Sequence, residues 1–276
     1  MMVNHIRESA KTDRQKRVLE LIVTYHIGTA EPVGSQIIAR DMELSSATIR
    51  NIMYELEEHG LIWQPHASAG RIPTDKGYRV YVDSLMEAKD LISSVREDLY
   101  DNINRLKADS VEDVLLKGLH LCAESTSQTC MAFLPTLKIK ARLIERLEER
   151  LTTMLTSLYD FDDRLYLDGT SYLIEQPEFK DIDKIKALLK ALEDKKGLLE
   201  ILEENVASGG IKVCIGSENR SMGFDQCTII TVNYSLEGNI SGTLGVIGPM
   251  RMEYESVIPK ICGIAESMSR LLSELV

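Results

Sequence analysis

Hydrophobic residues near the N-terminus recur at helical spacing in successive stretches. The first stretch covers about 13–26 and ends before Gly28 and Pro32, both of which break helices. A short second helix follows Ser35, which can cap it. A longer helix over about 46–59 carries one apolar stripe at steps of three and four residues, formed by Ile49, Ile52, Met53 and Leu56.

Short extended runs and turn-forming residues follow this third helix. Gly60 closes the helix, and residues 61–63 form a short strand. The sequence QPHASAGRIP supplies a loop, and Ile72 begins the returning strand before a fourth helix over about 74–86. Helix, short helix, turn, longer helix and hairpin is the order of a winged helix-turn-helix. We therefore predict a winged helix-turn-helix DNA-binding domain over 1–87.

After residue 87, helices and strands follow one another without strict alternation. An amphipathic stretch predicts a helical linker over 88–110, and a helix near 110–124 precedes the strand TCMAFL. Further strand-like runs lie at 164–169, 211–217, 227–234 and 241–248, with helices near 181–205 and 255–275. This order predicts an α+β domain over 111–276 with an antiparallel sheet.

Residues 138–160 form a candidate dimer helix with a narrow apolar stripe. The stripe consists of Ile144, Leu147, Leu151, Met154 and Leu158, spaced three and four residues apart. A narrow stripe suits a helix that pairs with another helix. It spans only about three heptads, so packing against its own domain fits equally well.

Length and composition are those of a globular chain of about two domains. The chain has 276 residues, 44% of them hydrophobic and 27% charged, which excludes a wholly disordered protein. No apolar run approaches the ~18–20 residues of a membrane-spanning helix, and no secretory signal follows the charged start. We expect a soluble cytoplasmic protein. Its five cysteines form no CxxC pair and are expected to be reduced and buried.

The net charge of −11 is unevenly distributed along the chain. Residues 1–82 hold 10 Lys and Arg against 10 Asp and Glu, so the rest of the chain carries the whole −11. An acidic total argues against a protein that coats nucleic acid through bulk charge. A neutral N-terminal domain can still bind DNA if its few basic residues are well placed.

The predicted third helix has an outward face suited to base contacts. Rotation by about 100° per residue places Ala47, Asn51 and Tyr54 opposite the apolar stripe. Arg50 and Thr48 lie on the flanks of this face. In the major groove, Arg pairs with guanine, Asn with adenine, and small methyl groups contact thymine. We therefore predict base contacts by Arg50 and Asn51, with Ala47 and Thr48 tuning discrimination.

Further DNA contacts are predicted around this helix. Ser45 and Ser46 lie near its N-terminus, where the helix dipole favours a phosphate. Predicted contacts from the preceding helix and from the wing loop are Gln36, Arg40, His66, Ser68 and Arg71. Each of these side chains also fits an ordinary solvated position, and a winged helix can serve as a protein-docking module, so both alternatives stay open.

Signals for other chemistry are weaker. The glycine-rich stretch 238–249 lacks a P-loop or dinucleotide-binding pattern, which favours turn glycines around a buried strand. A loop contains Asp160, Asp162, Asp163 and Asp168, but it lacks the glycine and terminal glutamate of a calcium-binding loop. No nucleophile elbow or HExxH motif is present. We predict no enzymatic activity, no metal and no cofactor.

Four segments together carry a family signature. They are EPVGSQIIARDMELSSATIRNIMYELEEHGLIWQPHASAGRIPTDKGYRVYVD (31–83), LYLDGTSYLIEQPEF (165–179), VCIGSEN (213–219) and GTLGVIGPMRMEYESVI (242–258). In these segments the chain closely resembles the bacterial family of heat-inducible transcription repressors called HrcA. The resemblance implies a winged helix-turn-helix followed by a GAF-like α+β domain that contains a dimerisation insert.

The resemblance also implies a function. It implies a homodimeric repressor that binds an inverted-repeat operator, the CIRCE element, upstream of chaperone operons, and that the GroE chaperonin keeps active. The chain departs from the family because only about thirty residues separate Pro135 from Leu165, so the insert is reduced. We hypothesise that helix 138–158 provides part of the dimer contact. A ligand-sensing regulator that acts through its GAF-like domain is the alternative.

Overall fold

The computed structural model describes residues 2–87, 110–134, 164–219, 223–236 and 239–275. The chain forms two compact units. The N-terminal unit comprises residues 1–89 together with 250–254, and the C-terminal unit comprises 90–249 and 255–276. The predicted linker, except for its last residue, and the whole candidate dimer helix with its five stripe residues lie outside the described residues.

In the part that the structure describes, the N-terminal unit contains four helices and a two-stranded antiparallel hairpin, in the predicted order. Their bounds are α1 Met2–Thr29, α2 Ser35–Asp41, α3 Ser46–Glu58, β1 Ile62–Trp63, β2 Ile72–Pro73 and α4 Asp75–Glu87. The predicted break at Gly28 is wrong, because α1 continues to Thr29 and ends before Ala30, whose φ is 57°. A glycine in a helix costs only about 1 kcal/mol relative to alanine, which a packed helix tolerates.

The helix-turn-helix consists of α2 and α3. The turn between them places Glu43 in the left-handed region, with φ of 52°. The fully buried residues of α1, α2, α3 and β1 are Val18, Leu19, Ile22, Val23, Ile38, Ile49, Met53, Leu56 and Ile62. Three of the four residues of the predicted α3 stripe are therefore in the core, and Ile52 is half-buried. This packing leaves the opposite face of α3 to solvent.

The C-terminal unit is built around an antiparallel sheet, which confirms the α+β prediction. Its described elements are α5 Val111–Thr126, β3 Thr129–Leu134, β4 Arg164–Asp168, α6 Thr170–Ile174, α7 Ile182–Glu193, α8 Lys195–Ser208, β5 Ile211–Ile215, β6 Cys227–Leu236, β7 Asn239–Pro249 and α9 Tyr254–Glu274. The strand order is β4-β3-β7-β6-β5, and every pair is antiparallel. The helical region predicted near 181–205 consists of α7 and α8, and Asp194 caps α8 by accepting from the Gly197 N–H at 3.3 Å.

Helices cover the sheet closely enough to bury its central strands. All six residues of β3 are buried, so both faces of this strand are covered. One face of the sheet shares a hydrophobic core with α6, α7 and α8, which includes Phe133, Leu173, Leu188, Leu202 and Ile229. A Cβ added at Gly118 of α5 would lie 2.6 Å from Met268 Sδ, so α5 and α9 approach each other closely at this glycine.

Candidate nucleic-acid interface

Hydroxyl groups order the N-terminus of α3 and connect it to α2. Ser45 is the N-cap, and its Oγ accepts a hydrogen bond from the Thr48 N–H at 3.1 Å. The hydroxyls of Ser45 and Thr48 are also within 2.8 Å of each other. Ser35 does not cap α2 as predicted, because Gly34 is the N-cap and Ser35 is the first residue of the helix; its Oγ instead lies 2.8 Å from Ser46 Oγ. The predicted phosphate contacts Ser45 and Ser46 therefore also hold the helix-turn-helix in position.

The outward face of α3 carries the side chains that the sequence predicts for base contacts. All of them are exposed: Ala47, Thr48, Arg50, Asn51 and Tyr54. Tyr54 is exposed to 60%, although it is a large aromatic side chain. Arg50 Nε donates to the Ser46 carbonyl oxygen at 3.3 Å, so its guanidinium lies along the helix towards the N-terminus. The structure thus brings these five side chains together on one solvent-facing surface.

Two of the predicted contacts lie on α2. Gln36 and Arg40 are one helical turn apart, and both are exposed. Asp41, at the end of α2, accepts a hydrogen bond from Tyr25 Oη of α1 at 2.7 Å. This hydrogen bond ties α1 to α2, and it raises the pKa of Tyr25 because the phenol donates to the carboxylate.

The wing loop between β1 and β2 presents small polar side chains at its tip. His66 and Ser68 are exposed, and Ser68 Oγ lies 3.2 Å from His66 Nδ1. Gln64 shapes the loop, because its Nε2 donates to the carbonyl oxygens of Ala67 and Ala69 at 3.1 and 2.8 Å. Gln64 is not among the residues predicted from the sequence, although an amide with two donors just before a turn is a recognisable signal.

Arg71 lies at the base of the wing rather than at its tip. Its Nε and Nη2 lie 3.0 and 2.9 Å from the same carboxylate oxygen of Glu57 on α3. Only 19% of the Arg71 side chain is exposed. The sequence predicts Arg71 as a DNA contact but does not predict its pairing with Glu57, which depends on where the hairpin packs.

The C-terminal half of α3 is acidic, but two of its carboxylates are engaged within the protein. Glu55 Oε2 accepts from Gln15 Nε2 of α1 at 2.7 Å, and Glu57 pairs with Arg71. Unpaired carboxylates on a DNA-reading helix would repel phosphates. These pairings leave the N-terminal half of α3, with Arg50 and Asn51, as the part best suited to approach DNA.

Asp168 and the glycine-rich stretch, which lie in the described part of the chain, make structural contacts. Within the described ranges, no group of three or more His, Cys, Asp and Glu side chains could hold a metal ion. Asp168 accepts from the Gly169 N–H at 2.7 Å and lies 2.9 Å from His120 Nδ1, whereas the other three aspartates lie outside those ranges. The glycine-rich stretch is the strand β7, where a Cβ at Gly245 would lie 2.7 Å from Met131 Cε. No described helix is long and apolar enough to cross a membrane.

A segment from far along the chain completes the N-terminal unit. Arg251 Nη1 donates to the Ile27 carbonyl oxygen at 3.2 Å, near the end of α1. Tyr254 is fully buried, and its ring centroid lies 6.2 Å from that of Tyr78 and 6.4 Å from that of Tyr81. The sequence does not indicate these contacts, because the partners are at least 173 positions apart in the chain (254 − 81 = 173).

Comparison with known proteins gives a consistent family assignment. Residues 10–85 match the family model described as "Winged helix-turn-helix transcription repressor, HrcA DNA-binding", and residues 126–258 match "HrcA protein C terminal domain". The heat-inducible transcription repressor HrcA of Thermoanaerobacter sp. (strain X514) is 33% identical over 337 aligned positions, which cover 95% of this chain and 97% of the relative. The HrcA protein of Moorella thermoacetica is 31% identical over 340 positions, covering 95% and 98%.

One solved structure supports the fold over the whole chain. A crystal structure of a hypothetical protein at 2.2 Å resolution matches with a TM-score of 0.74 and 23% identity. The match covers 96% of this chain and 99% of that protein. At this level of identity the match supports the fold alone.

Proposed function

The chain belongs to the HrcA family of heat-inducible transcription repressors, and from this membership we propose that it represses heat-shock chaperone operons by binding the inverted-repeat CIRCE operator as a homodimer. The family establishes a transcription repressor with a winged-helix DNA-binding domain. The operator, the dimer and the regulation described below are our proposal.

The exposed outer face of α3 is the observation that carries the proposal. In a helix-turn-helix, the N-terminal part of the second helix enters the major groove. Arg50 and Asn51 lie exposed on that part of α3 and have the donor geometry that distinguishes guanine and adenine. Ala47 and Thr48 add methyl groups that can contact thymine. We assign base contacts to Arg50 and Asn51.

Other exposed residues would fix the register of the domain on the DNA backbone. Phosphate contacts are assigned to the exposed Gln36, Arg40, Ser45, His66 and Ser68 and to the half-buried Ser46, and Tyr54 lies at the edge of the same surface. Such contacts supply affinity and salt dependence but little sequence information. With two domains related by a two-fold axis, a palindromic operator follows from symmetry. Bound dimers would block RNA polymerase sterically.

Dimerisation is assigned to the C-terminal unit, which we propose to be GAF-like with a reduced dimerisation insert. The alignment with the Thermoanaerobacter relative has 337 positions, more than the 276 residues of this chain, so that relative contains residues without a counterpart here. This difference supports a shortened insert. The apolar stripe that includes Leu147 and Leu151 would then supply part of the dimer contact.

We further propose that the repressor acts in the bacterial cytoplasm and depends on the GroE chaperonin. Chaperonin would hold the dimer in its DNA-binding form, and unfolded proteins released by heat would compete for the chaperonin. Repression would then fall as damaged proteins accumulate. The support for this regulation is family membership.

Fluorescence anisotropy on labelled DNA tests the proposal. The full chain is titrated at near-physiological salt into the inverted-repeat operator and into a scrambled duplex of equal length, with and without chaperonin. We expect a clear preference for the operator and a gain in affinity with chaperonin. Equal binding to both duplexes in the presence of chaperonin would refute operator recognition. A preference for the operator that is the same with and without chaperonin would refute only the proposed regulation.

A further inference from the structure

Arg71 joins three elements of the N-terminal unit at one point. Its backbone N–H donates to the Val33 carbonyl oxygen at 2.9 Å, and the Val33 N–H donates back to the Arg71 carbonyl oxygen at 2.9 Å. Its guanidinium binds Glu57 on α3. The base of the wing is therefore attached by its backbone to the α1–α2 connection and by a side chain to the helix that reads DNA.

The neighbouring glycine allows this attachment. A Cβ at Gly70 would lie 2.5 Å from both the carbonyl carbon and the carbonyl oxygen of Val33, and 2.8 Å from the carbonyl carbon of Pro32. Backbone atoms cannot move aside as a flexible side chain can. The absence of a side chain at Gly70 thus serves packing against the protein itself.

We propose that Glu57 and Arg71 form a clamp that fixes the wing relative to α3, and that Arg71 supports operator binding through Glu57 rather than through a DNA phosphate. This inference rests on the proposed function. Both side chains are mostly shielded, at 19% exposed for Arg71 and 32% for Glu57, and both guanidinium contacts converge on one carboxylate oxygen. A guanidinium held in this way has little freedom to reach a phosphate, whereas it can hold the exposed wing tip at a defined distance from α3.

The two roles predict opposite effects of neutralising Glu57. If Arg71 binds a phosphate, the Glu57 carboxylate only competes with that phosphate for the Arg71 guanidinium. Glu57→Gln then leaves operator affinity unchanged or raises it. If the pair is a clamp, Glu57→Gln weakens binding although it removes a negative charge from the DNA-binding domain. The direction of change in this single variant already separates the two models.

A double-mutant cycle provides the full test. Operator affinity is measured for Glu57→Gln, Arg71→Gln and the double variant, each over a series of salt concentrations. We expect each single variant to bind the operator about threefold to tenfold more weakly, as for the loss of one partly shielded ion pair. The double variant should bind no more weakly than the more strongly affected single variant, because both substitutions break the same pair. A loss confined to Arg71→Gln, with the salt slope reduced by about one, would overturn the clamp.

A measurement without DNA keeps this test independent of the proposed function. Hydrogen exchange at the Val33 and Arg71 amides reports opening of the wing base in the free protein. Both single variants are expected to accelerate exchange at these two amides, while Arg40→Gln, an exposed control on α2, leaves it unchanged. Unchanged exchange at these amides in both clamp variants would overturn the clamp. Accelerated exchange, together with no preference of the wild-type protein for operator over scrambled DNA, would overturn only the repressor function.

Discussion

Replacing Arg50 with alanine separates base recognition from folding. Arg50 is exposed, and its one described hydrogen bond is the 3.3 Å contact from Nε to the Ser46 carbonyl oxygen. Alanine favours helices at least as well as arginine, so the free energy of unfolding should change by less than about 0.5 kcal/mol. Any large loss of operator binding must then come from the missing DNA contact.

The size of that loss in operator affinity follows from the geometry of the contact between arginine and guanine. A bidentate contact from arginine to guanine contributes about 1–3 kcal/mol to discrimination, which corresponds to roughly a 5- to 150-fold weaker Kd. Binding to a scrambled duplex should change much less, because that binding depends on phosphate contacts. Arg50→Lys keeps the charge but loses the planar pair of donors, so it should also lose specificity.

Anisotropy titrations of wild-type protein, Arg50→Ala and Arg50→Lys measure these effects on operator and scrambled DNA. Arg40→Ala is the matched control on α2, with an expected equal loss on both duplexes and a salt slope reduced by about one. Circular dichroism melting checks that all variants are folded. An equal loss on both duplexes for Arg50→Ala would refute the base contact and make Arg50 a phosphate contact instead.

Three further predictions concern the rest of the chain. Tyr254→Ala should lower the free energy of unfolding by about 3–5 kcal/mol in chemical denaturation, since a fully buried aromatic side chain is removed; a loss below about 1 kcal/mol would contradict its role in the core. Replacing Leu147 and Leu151 with Glu should dissociate the dimer in sedimentation, and an unchanged dimer would rule out the stripe as the contact. The hydrogen bond to Asp168 raises the pKa of His120. Protonated His120 therefore stabilises the folded protein below the unfolded-state pKa of about 6.5, and this stabilisation is lost as the pH rises through the pKa of His120 in the folded protein. An NMR titration in which Glu124→Gln lowers this pKa only slightly, and Asp168→Asn lowers it more, would agree with that order of causes.

Local patterns in the sequence predicted much of the N-terminal unit. The spacing of Ile49, Met53 and Leu56 determined which face of α3 is buried, and therefore which face carries Arg50 and Asn51 to solvent. The sequence places Ser45 and Ser46 at the start of this helix, and the structure makes Ser45 the cap, with its Oγ accepting from the Thr48 N–H. These features depend on residues within one or two helical turns, so the helical period is sufficient to predict them.

Glycines were weak signals for where a helix or a strand ends. Gly28 was predicted to break α1, but the helix continues to Thr29. The glycine-rich stretch 238–249 is interpreted as turn glycines around a buried strand; the strand is there as β7, but Gly242, Gly245 and Gly248 lie within it rather than in flanking turns. At Gly245 the reason is steric, because Met131 of the adjacent strand occupies the space where a side chain would be.

By itself, the sequence determined the order of helices and strands in the N-terminal unit, the buried and exposed faces of α3 and the family to which the chain belongs. Only the tertiary structure decided that Arg71 binds Glu57, that Gly70 packs on the backbone of Val33, and that Tyr254 joins Tyr78 and Tyr81. The physical reason is the range of the interactions. Periodicity records which side of an element faces the core, whereas ion pairs and close backbone contacts depend on how separate elements meet, and no local pattern encodes that meeting.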